Sequence, residues 1–533
     1  VSTQIRCYPG YQRADAPLKP LGPVKASLKV RYSRNAKVRR LDYVGASLDF
    51  HVDGVVLPAP DPDSVDNLIG GVCKRIGCRT PEIDPVLLGE FTEFVQGWLR
   101  QNLHPLEYDA DVSVESWLAG SSYPEWRKRQ LMKCWCDHDK SIPTNHAQRV
   151  RMARCLSFIK REWYDKYKEA RCINSRTDWY KNCTGPYIHA IEEVVYRLIP
   201  AFIKHIPVLD RPKLLLELFG EGCTVFTSDH TSFEAHLSSI FQRACEIQLY
   251  RYMLQNVFRG EMVVDLLERA QCGINRCSFF SRTSPIDVSV SGTRMSGDMC
   301  TSLGNGFSNL MLMLFCCSKV GSQCKGFVEG DDGIFAVKGP IPQPELFARL
   351  GFNIKMRVDP EPASADFCGN VFDSVELVNV PDVLKMLVKF GWSMSEFRFG
   401  TREQRSALLR AKAQSALSSW AGCPVLQELA LSLMRLLGPG RLIFDDRWTQ
   451  EHTAAVVSPR PVGLRTRSLL EKKYGLSVLT QLAIEKQFRD MDRLGSVCLT
   501  GVDFPAPWCK EFNRVVVHCA RALRYNRRQQ RCY

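Results

Sequence analysis

The chain has 533 residues, of which 45% are hydrophobic and 24% charged. These are ordinary values for folded proteins and exclude a largely disordered chain, and the length suits three or four folding units or one multi-lobed enzyme. Lys and Arg outnumber Asp and Glu by 71 to 57, a formal net charge of +14 that favours a polyanionic partner. The longest nearly apolar run, Leu310 to Cys317, is far short of the roughly 20 residues a membrane span needs, so no segment is expected to cross a bilayer. The chain begins Val-Ser-Thr-Gln-Ile-Arg, with no initiator Met and no apolar signal core. That start predicts an unsecreted product that is processed, read through or truncated. The 22 Cys are scattered and read as reduced, mostly buried thiols.

Residues 1–65 are rich in Pro, Lys and Arg, including Lys37-Val38-Arg39-Arg40, and Pro58 to Pro62 resembles a linker. This stretch predicts an irregular basic arm with a few short strands. Residues 66–200 read as mostly helical. Asp84 to Asn102 carries apolar Val86, Leu87, Phe91, Val95 and Leu99 near helical spacing. Tyr123 to Leu156 is basic, contains Trp and is again helix-like. From 221 to 375, short β-branched runs end in Asp, Gly and Ser turns and alternate with helical patterns, which predicts an α+β fold. Residues 380–533 read as mainly helical, as in Ser406 to Ser419 and Pro424 to Leu437, and end in a basic tail from Arg521 to Arg531.

Three acidic or polar segments stand out within the α+β stretch. In Cys223-Thr-Val-Phe-Thr-Ser-Asp229-His-Thr-Ser-Phe-Glu234, Thr224 to Thr227 suits a buried strand and Ser232 onward suits a helix. Asp229 then sits at a strand end, where a metal-binding carboxylate is at home. Thr231-x-x-Glu234 also fits a helix capping box. In Lys325-Gly-Phe-Val-Glu-Gly330-Asp331-Asp332-Gly333, apolar flanks around a Gly-Asp-Asp-Gly turn predict a β-hairpin. Asp-Gly alone is an ordinary turn, but two adjacent carboxylates at a tip repel, and a divalent cation relieves that repulsion. Between them, Ser296-Gly297 suggests a flexible loop, and Thr301 and Asn305 share one face of the helix that follows.

In this order the segments resemble the palm of the RNA-dependent RNA polymerases of positive-strand RNA viruses. Asp229 with Glu234 looks like motif A, Ser296-Gly297-x-x-x-Thr301-x-x-x-Asn305 like motif B, and Gly330-Asp331-Asp332 like motif C. The wording from Arg294 to Asn305 is especially similar to tombusvirus-like, carmovirus-like replicases. Lys168-Glu169-x-Arg171-x-Ile173-x-x-Arg176 looks like motif F, Leu350 to Lys355 like motif D, and Phe367-Cys368-Gly369 like motif E. The likeness covers about 160 to 375. One departure is Glu234, where the family usually has Asp.

The resemblance implies a right-hand polymerase. Its parts would be a basic N-terminal arm (1–65), fingers with motif F (66–220), palm motif A (221–245), a fingers insertion (246–288), palm motifs B to E (289–380), and a mostly helical thumb with a basic tail (381–533). It implies RNA-directed RNA synthesis from NTPs by two-metal nucleotidyl transfer, with Mg²⁺ (Mn²⁺ as substitute) on Asp229 and Asp331 and with Asp332 beside them. Lys168, Arg171 and Arg176 are expected over the triphosphate. Glu234, Ser296, Thr301 and Asn305 are expected at the ribose, and Lys355 is expected to protonate the departing pyrophosphate. RNA template and product, a membrane-anchored replication partner, and a place on host cytoplasmic membranes are implied in the same way.

Two weaker patterns carry no assignment. Cys134-x-Cys136-x-His138 could open a zinc site, but no matching pair follows at a typical spacing, and only Cys155 and Cys172 stay open as further ligands. Gly220-Glu-Gly222 reads as a turn into motif A. Two other functions compete with the polymerase. A reverse transcriptase usually has an aromatic residue where this chain has Gly330. A catalytically silent RNA-binding scaffold would not need the cluster of Asp229, Asp331 and Asp332.

Overall fold

The computed structural model describes residues 25–30, 45–60, 64–166, 168–218, 222–230, 232–280, 285–359, 364–395, 397, 400–454 and 458–509. The Lys37 to Arg40 run, Gly220, Thr231 with its capping box, and the Arg521 to Arg531 tail lie outside the described residues.

Among the described residues the first elements are three short strands, β1 (Ser27–Val30), β2 (Ala46–Ser47) and β3 (His51–Val52). Five helices follow, of which Pro85–Asn102 is the longest. Asp84 starts it by accepting from Val86 N and Leu87 N, and Pro85 fits the first turn. Leu87, Phe91, Val95 and Leu99 are buried, as their spacing predicts. Tyr123 to Leu156 divides into helices Glu125–Cys136 and His146–Met152, broken at Asp139 and Lys140, both at positive φ. Then come β4 (Cys155–Ile159), β5 (Cys172–Arg176) and helix Asp178–Leu198.

The central part contains β6 (Thr224–His230), a helical stretch to Cys272, β7 (Ile274–Phe279), β8 (Ile286–Ser291) and the buried helix Thr301–Lys319. Next are β9 (Gln323–Glu329), β10 (Asp332–Lys338), β11 (Ile354–Asp359), β12 (Asn370–Asp373) and β13 (Val378–Pro381). The C-terminal part is helical, led by Arg402–Trp420 and Leu426–Leu437, with β14 (Trp392–Ser393) and β15 (Ser496–Val497).

Two sheets organise the molecule. One has five strands in the order β1-β8-β7-β4-β5, and the other is antiparallel in the order β11-β6-β10-β9. The second sheet and helix Thr301–Lys319 share the largest apolar core with the helices before β6. The architecture is therefore mixed α and β, as the sequence predicts.

The described part of 1–65 carries the few short strands expected, and they are built into the fold. Strand β1 pairs with β8, whereas β2 pairs with β14 and β3 with β15. Leu48, Phe50, Val52, Val55 and Leu57 are buried in one core with the C-terminal helices. The Pro and basic residues mask an alternating apolar pattern there. The single helix expected after Asp229 also differs. Residues 233–254 form three pieces, Phe233–His236, Ser239–Ala244 and Glu246–Leu254. Ser238 starts the second by accepting from Phe241 N, while the Leu237 carbonyl is taken by Thr293 N at 3.0 Å.

Candidate active site

Strand β6 runs through the middle of its sheet. Val225 to Ser228 and His230 are buried, while Asp229 is exposed near the strand end. On one side β10 pairs with it, Gly333 opposite Ser228, so Asp332 follows beside Asp229. Stacked Phe226 and Phe335 rings, 5.7 Å between centroids, help fix this register. On the other side β11 places Lys355 directly opposite Asp229. Opposed residues in an antiparallel pair share a face, so the Lys355 ammonium stands on the same face as the Asp229 carboxylate.

The β9–β10 hairpin forms as expected, with Asp332 opposite Glu329 and the two-residue turn Gly330-Asp331. Gly330 has φ 63, a left-handed conformation that glycine adopts freely. Two buried side chains hold this turn. Asn309 Nδ2 donates to the Asp331 carbonyl at 3.0 Å, and Asn309 Oδ1 faces His230 Nε2 at 3.4 Å. Burial pushes the His230 imidazole down to about 3, so the ring is neutral. Arg211, also buried, pairs with Glu329 at 2.6 Å just before the turn.

The carboxylates sense one another. Asp332 keeps an outer surface open to solvent but is walled in by protein on its other sides. Desolvation, with the charges of Asp331, Glu329, Asp366 and Asp229, pushes its carboxyl up to about 7. Glu234 is raised as well, chiefly by burial. Arg75, 3.7 Å away, and Arg171 oppose that shift while Asp331 adds to it. Burial lowers the Arg171 guanidinium, yet Glu162, Asp331 and Glu234 outweigh it and the net shift is upward. Asp229, Asp331, Asp332, Glu234, Arg171 and Lys355 thus belong to one charged neighbourhood. Among the described residues, no three His, Cys, Asp or Glu side chains are already drawn together around a metal-sized space.

The other expected residues divide. Lys168 lies 4.7 Å over the Tyr164 ring, whose hydroxyl accepts from Arg171 N, so both cations hang from one loop. Arg176 does not join them. Its guanidinium is fully buried, 2.6 Å from Asp298 and bonded to Asn275 and to the carbonyls of Ala153 and Ala270. With each of its guanidinium nitrogens bonded inside the protein, it braces the loop that carries Ser296 rather than facing a triphosphate. The Ser296 carbonyl accepts from Asn174 N at 2.7 Å. Thr301 Oγ1 closes the same loop, accepting from Gly297 N and donating to the Asp298 carbonyl. Asn305 accepts from Arg294 at 3.1 Å. His138 stacks on Trp179 at 4.0 Å, and its Nδ1 lies 2.8 Å from the Cys134 carbonyl.

A family model described as viral RNA dependent RNA polymerase matches residues 220–493, just over half of the chain. The chain belongs to that family. It is 24% identical over 389 residues to the RNA-directed RNA polymerase of Maize chlorotic mottle virus, covering 68% of this chain and 38% of that protein. It is 24% identical over 253 residues to the RNA-directed RNA polymerase of Oat chlorotic stunt virus, covering 41% of this chain and 32% of that protein. The chain spans about a third of the length of these curated relatives.

In this chain the sequence alone assigned no place at the site to Asn309, Arg75, Arg211 or Asp366. Asn309 had a signal, because it continues the four-residue spacing of Thr301 and Asn305. The other three had none, since they reach the site only through tertiary packing.

Proposed function

We propose that this chain is an RNA-directed RNA polymerase that copies a viral RNA from NTPs and releases pyrophosphate. One observation carries the reading: Asp229 on a central strand and Asp331-Asp332 on the adjoining hairpin turn form a cluster whose charge is felt within Asp332 itself. The family match and the two polymerase relatives support it. In the same proposal, 66–220 and 246–288 are the fingers, 221–245 and 289–380 the palm, and 381–533 the thumb.

The donor set fits a hard divalent cation. It consists of carboxylate oxygens on two adjoining strand ends, one of them destabilised by the charge of the others. Asp229 and Asp331 would hold Mg²⁺, with Asp332 beside them, and Mn²⁺ has the same oxygen preference. Bound there, the ions supply charge stabilisation for both the attacking and the leaving oxygens.

The chain's own residues do the rest. Arg171 and Lys168 offer cationic donors to the triphosphate, Arg171 through a planar fork. Lys355, opposite Asp229, gives a proton to the leaving pyrophosphate oxygen, so the P–O bond breaks without leaving an unprotonated oxyanion. Glu234, Ser296, Thr301 and Asn305 surround the ribose, and their polar groups pair with a 2′-hydroxyl. The basic balance of the chain serves a polyanionic template and product. No helix among the described residues is long and apolar enough to cross a membrane. Residence on intracellular membranes, through an upstream segment or an anchored replication partner, belongs to the same proposal.

The test is incorporation on a single-stranded RNA template with Mg²⁺, comparing ribonucleotides with deoxynucleotides. Template-dependent ribonucleotide incorporation is expected. Preference for deoxynucleotides would point to a reverse transcriptase, and RNA binding without incorporation would point to a scaffold.

A further inference from the structure

We propose that Arg294 is the positioning residue that sets the sugar selectivity of this site. The inference rests on the polymerase reading above, in which Glu234 and Asn305 face the ribose. Arg294 lies in the loop between β8 and helix Thr301–Lys319, and its side chain has no exposed surface. It joins the two sugar-facing segments through different atoms. Its backbone N donates to the Glu234 carbonyl at 3.0 Å, and its Nε donates to Asn305 Oδ1 at 3.1 Å. Nη1 meets Cys300 Sγ at 3.3 Å, and Nη2 pairs with Glu246 Oε2, which also accepts from the Tyr250 hydroxyl at 2.9 Å.

A guanidinium has donors only, so the Asn305 atom turned toward it must be the amide oxygen. The Asn305 NH₂ is thereby held on the opposite side as a donor, and it has no hydrogen-bond partner among the described residues. A ribose hydroxyl can accept from it, whereas a deoxyribose leaves it unpaired. Were the amide free to flip, it could present oxygen instead and the distinction would blur. Gly304 permits the arrangement. A Cβ at that position would collide with both Glu246 Oε2 and Arg294 Nη2. The buried Arg294–Glu246 pair therefore fixes which end of Asn305 meets the sugar, without touching the sugar itself.

The experiment measures kcat/KM for a ribonucleotide and its matching deoxynucleotide on one RNA template. It compares wild type, Arg294→Lys, Gly304→Ala and Glu246→Gln. Lysine keeps a cation for Glu246 but lacks the planar fork that holds Asn305. The ribo-to-deoxy ratio should fall on the order of 10-fold in Arg294→Lys and Gly304→Ala. Glu246→Gln keeps an acceptor for Arg294 and should retain most of the ratio. The Mg²⁺ midpoint should stay within about twofold throughout, because the carboxylate cluster is untouched. A ratio unchanged within about twofold in folded Arg294→Lys or Gly304→Ala, beside normal ribonucleotide incorporation, would overturn the role of Arg294 alone. Should Arg294→Lys not fold, Gly304→Ala decides the matter. A wild type that incorporates no nucleotide would instead remove the polymerase reading, and this proposal with it.

Discussion

Asp332 shows how the crowded carboxylates act on a single residue. Its carboxyl is raised to about 7 from an ordinary 3.8, first by desolvation and then by Asp331, Glu329, Asp366 and Asp229. The raised group is comfortable when protonated. Its contribution to stability is full below about pH 4, declines as pH rises, and is lost once pH passes about 7. In metal-free buffer, Asp332→Asn should therefore melt higher than wild type at pH 8, with the gap narrowing toward pH 4. Mg²⁺ should stabilise wild type at pH 8 and close the gap. Differential scanning calorimetry at the two pH values checks this, and a gap that widens on acidification would contradict it. Lys355 supplies a second prediction at this scale. Lys355→Leu should lower kcat by roughly 10²–10⁴-fold with little change in NTP binding, as expected for a lost general acid. Full turnover in that variant would remove the assignment.

At the scale of elements, the hairpin and the helix behind it act as one unit. Asn309 on helix Thr301–Lys319 reaches the Asp331 carbonyl. Gly326 on β9 lets the neighbouring strand come close, since a Cβ there would lie 2.5 Å from the Ile334 carbonyl oxygen and press on the Phe335 ring. Gly326→Ala should destabilise the fold by about 1–3 kcal/mol through overpacking, read by urea titration. Asn309→Leu leaves the Asp331 carbonyl without its donor. It should cost about 1–3 kcal/mol and raise the Mg²⁺ concentration needed for incorporation. Much of this unit was legible in the sequence. β6, the Gly-Asp-Asp hairpin and the helix starting at Thr301 each carry strong local signals of β-branched strands, turn residues and an apolar run. The break of residues 233–254 into three helices was not legible, because Thr293, far along the chain, takes the Leu237 carbonyl. The burial of Arg176 was hidden for the same reason. A basic motif gives charge, but only tertiary packing shows that Asp298 consumes it.

For the whole molecule, the first described residues tie distant parts together. Strand β1 closes the edge of the five-stranded sheet, and Phe50, with no exposed surface, sits in the core of the C-terminal helices. Sequence composition pointed to an arm because Pro, Lys and Arg dominate, and the buried alternation is too short to stand out. Phe50→Ala should lower unfolding free energy by about 3–5 kcal/mol, a loss that a loose arm would not show. The central claim is that strand β6 and the β9–β10 turn together form the catalytic centre. Its most direct test is single-turnover ribonucleotide incorporation by folded Asp331→Asn and by wild type, on the same RNA template and across a Mg²⁺ titration. The account predicts that incorporation disappears in the variant at every Mg²⁺ concentration while RNA binding persists. Wild-type incorporation by Asp331→Asn would contradict it.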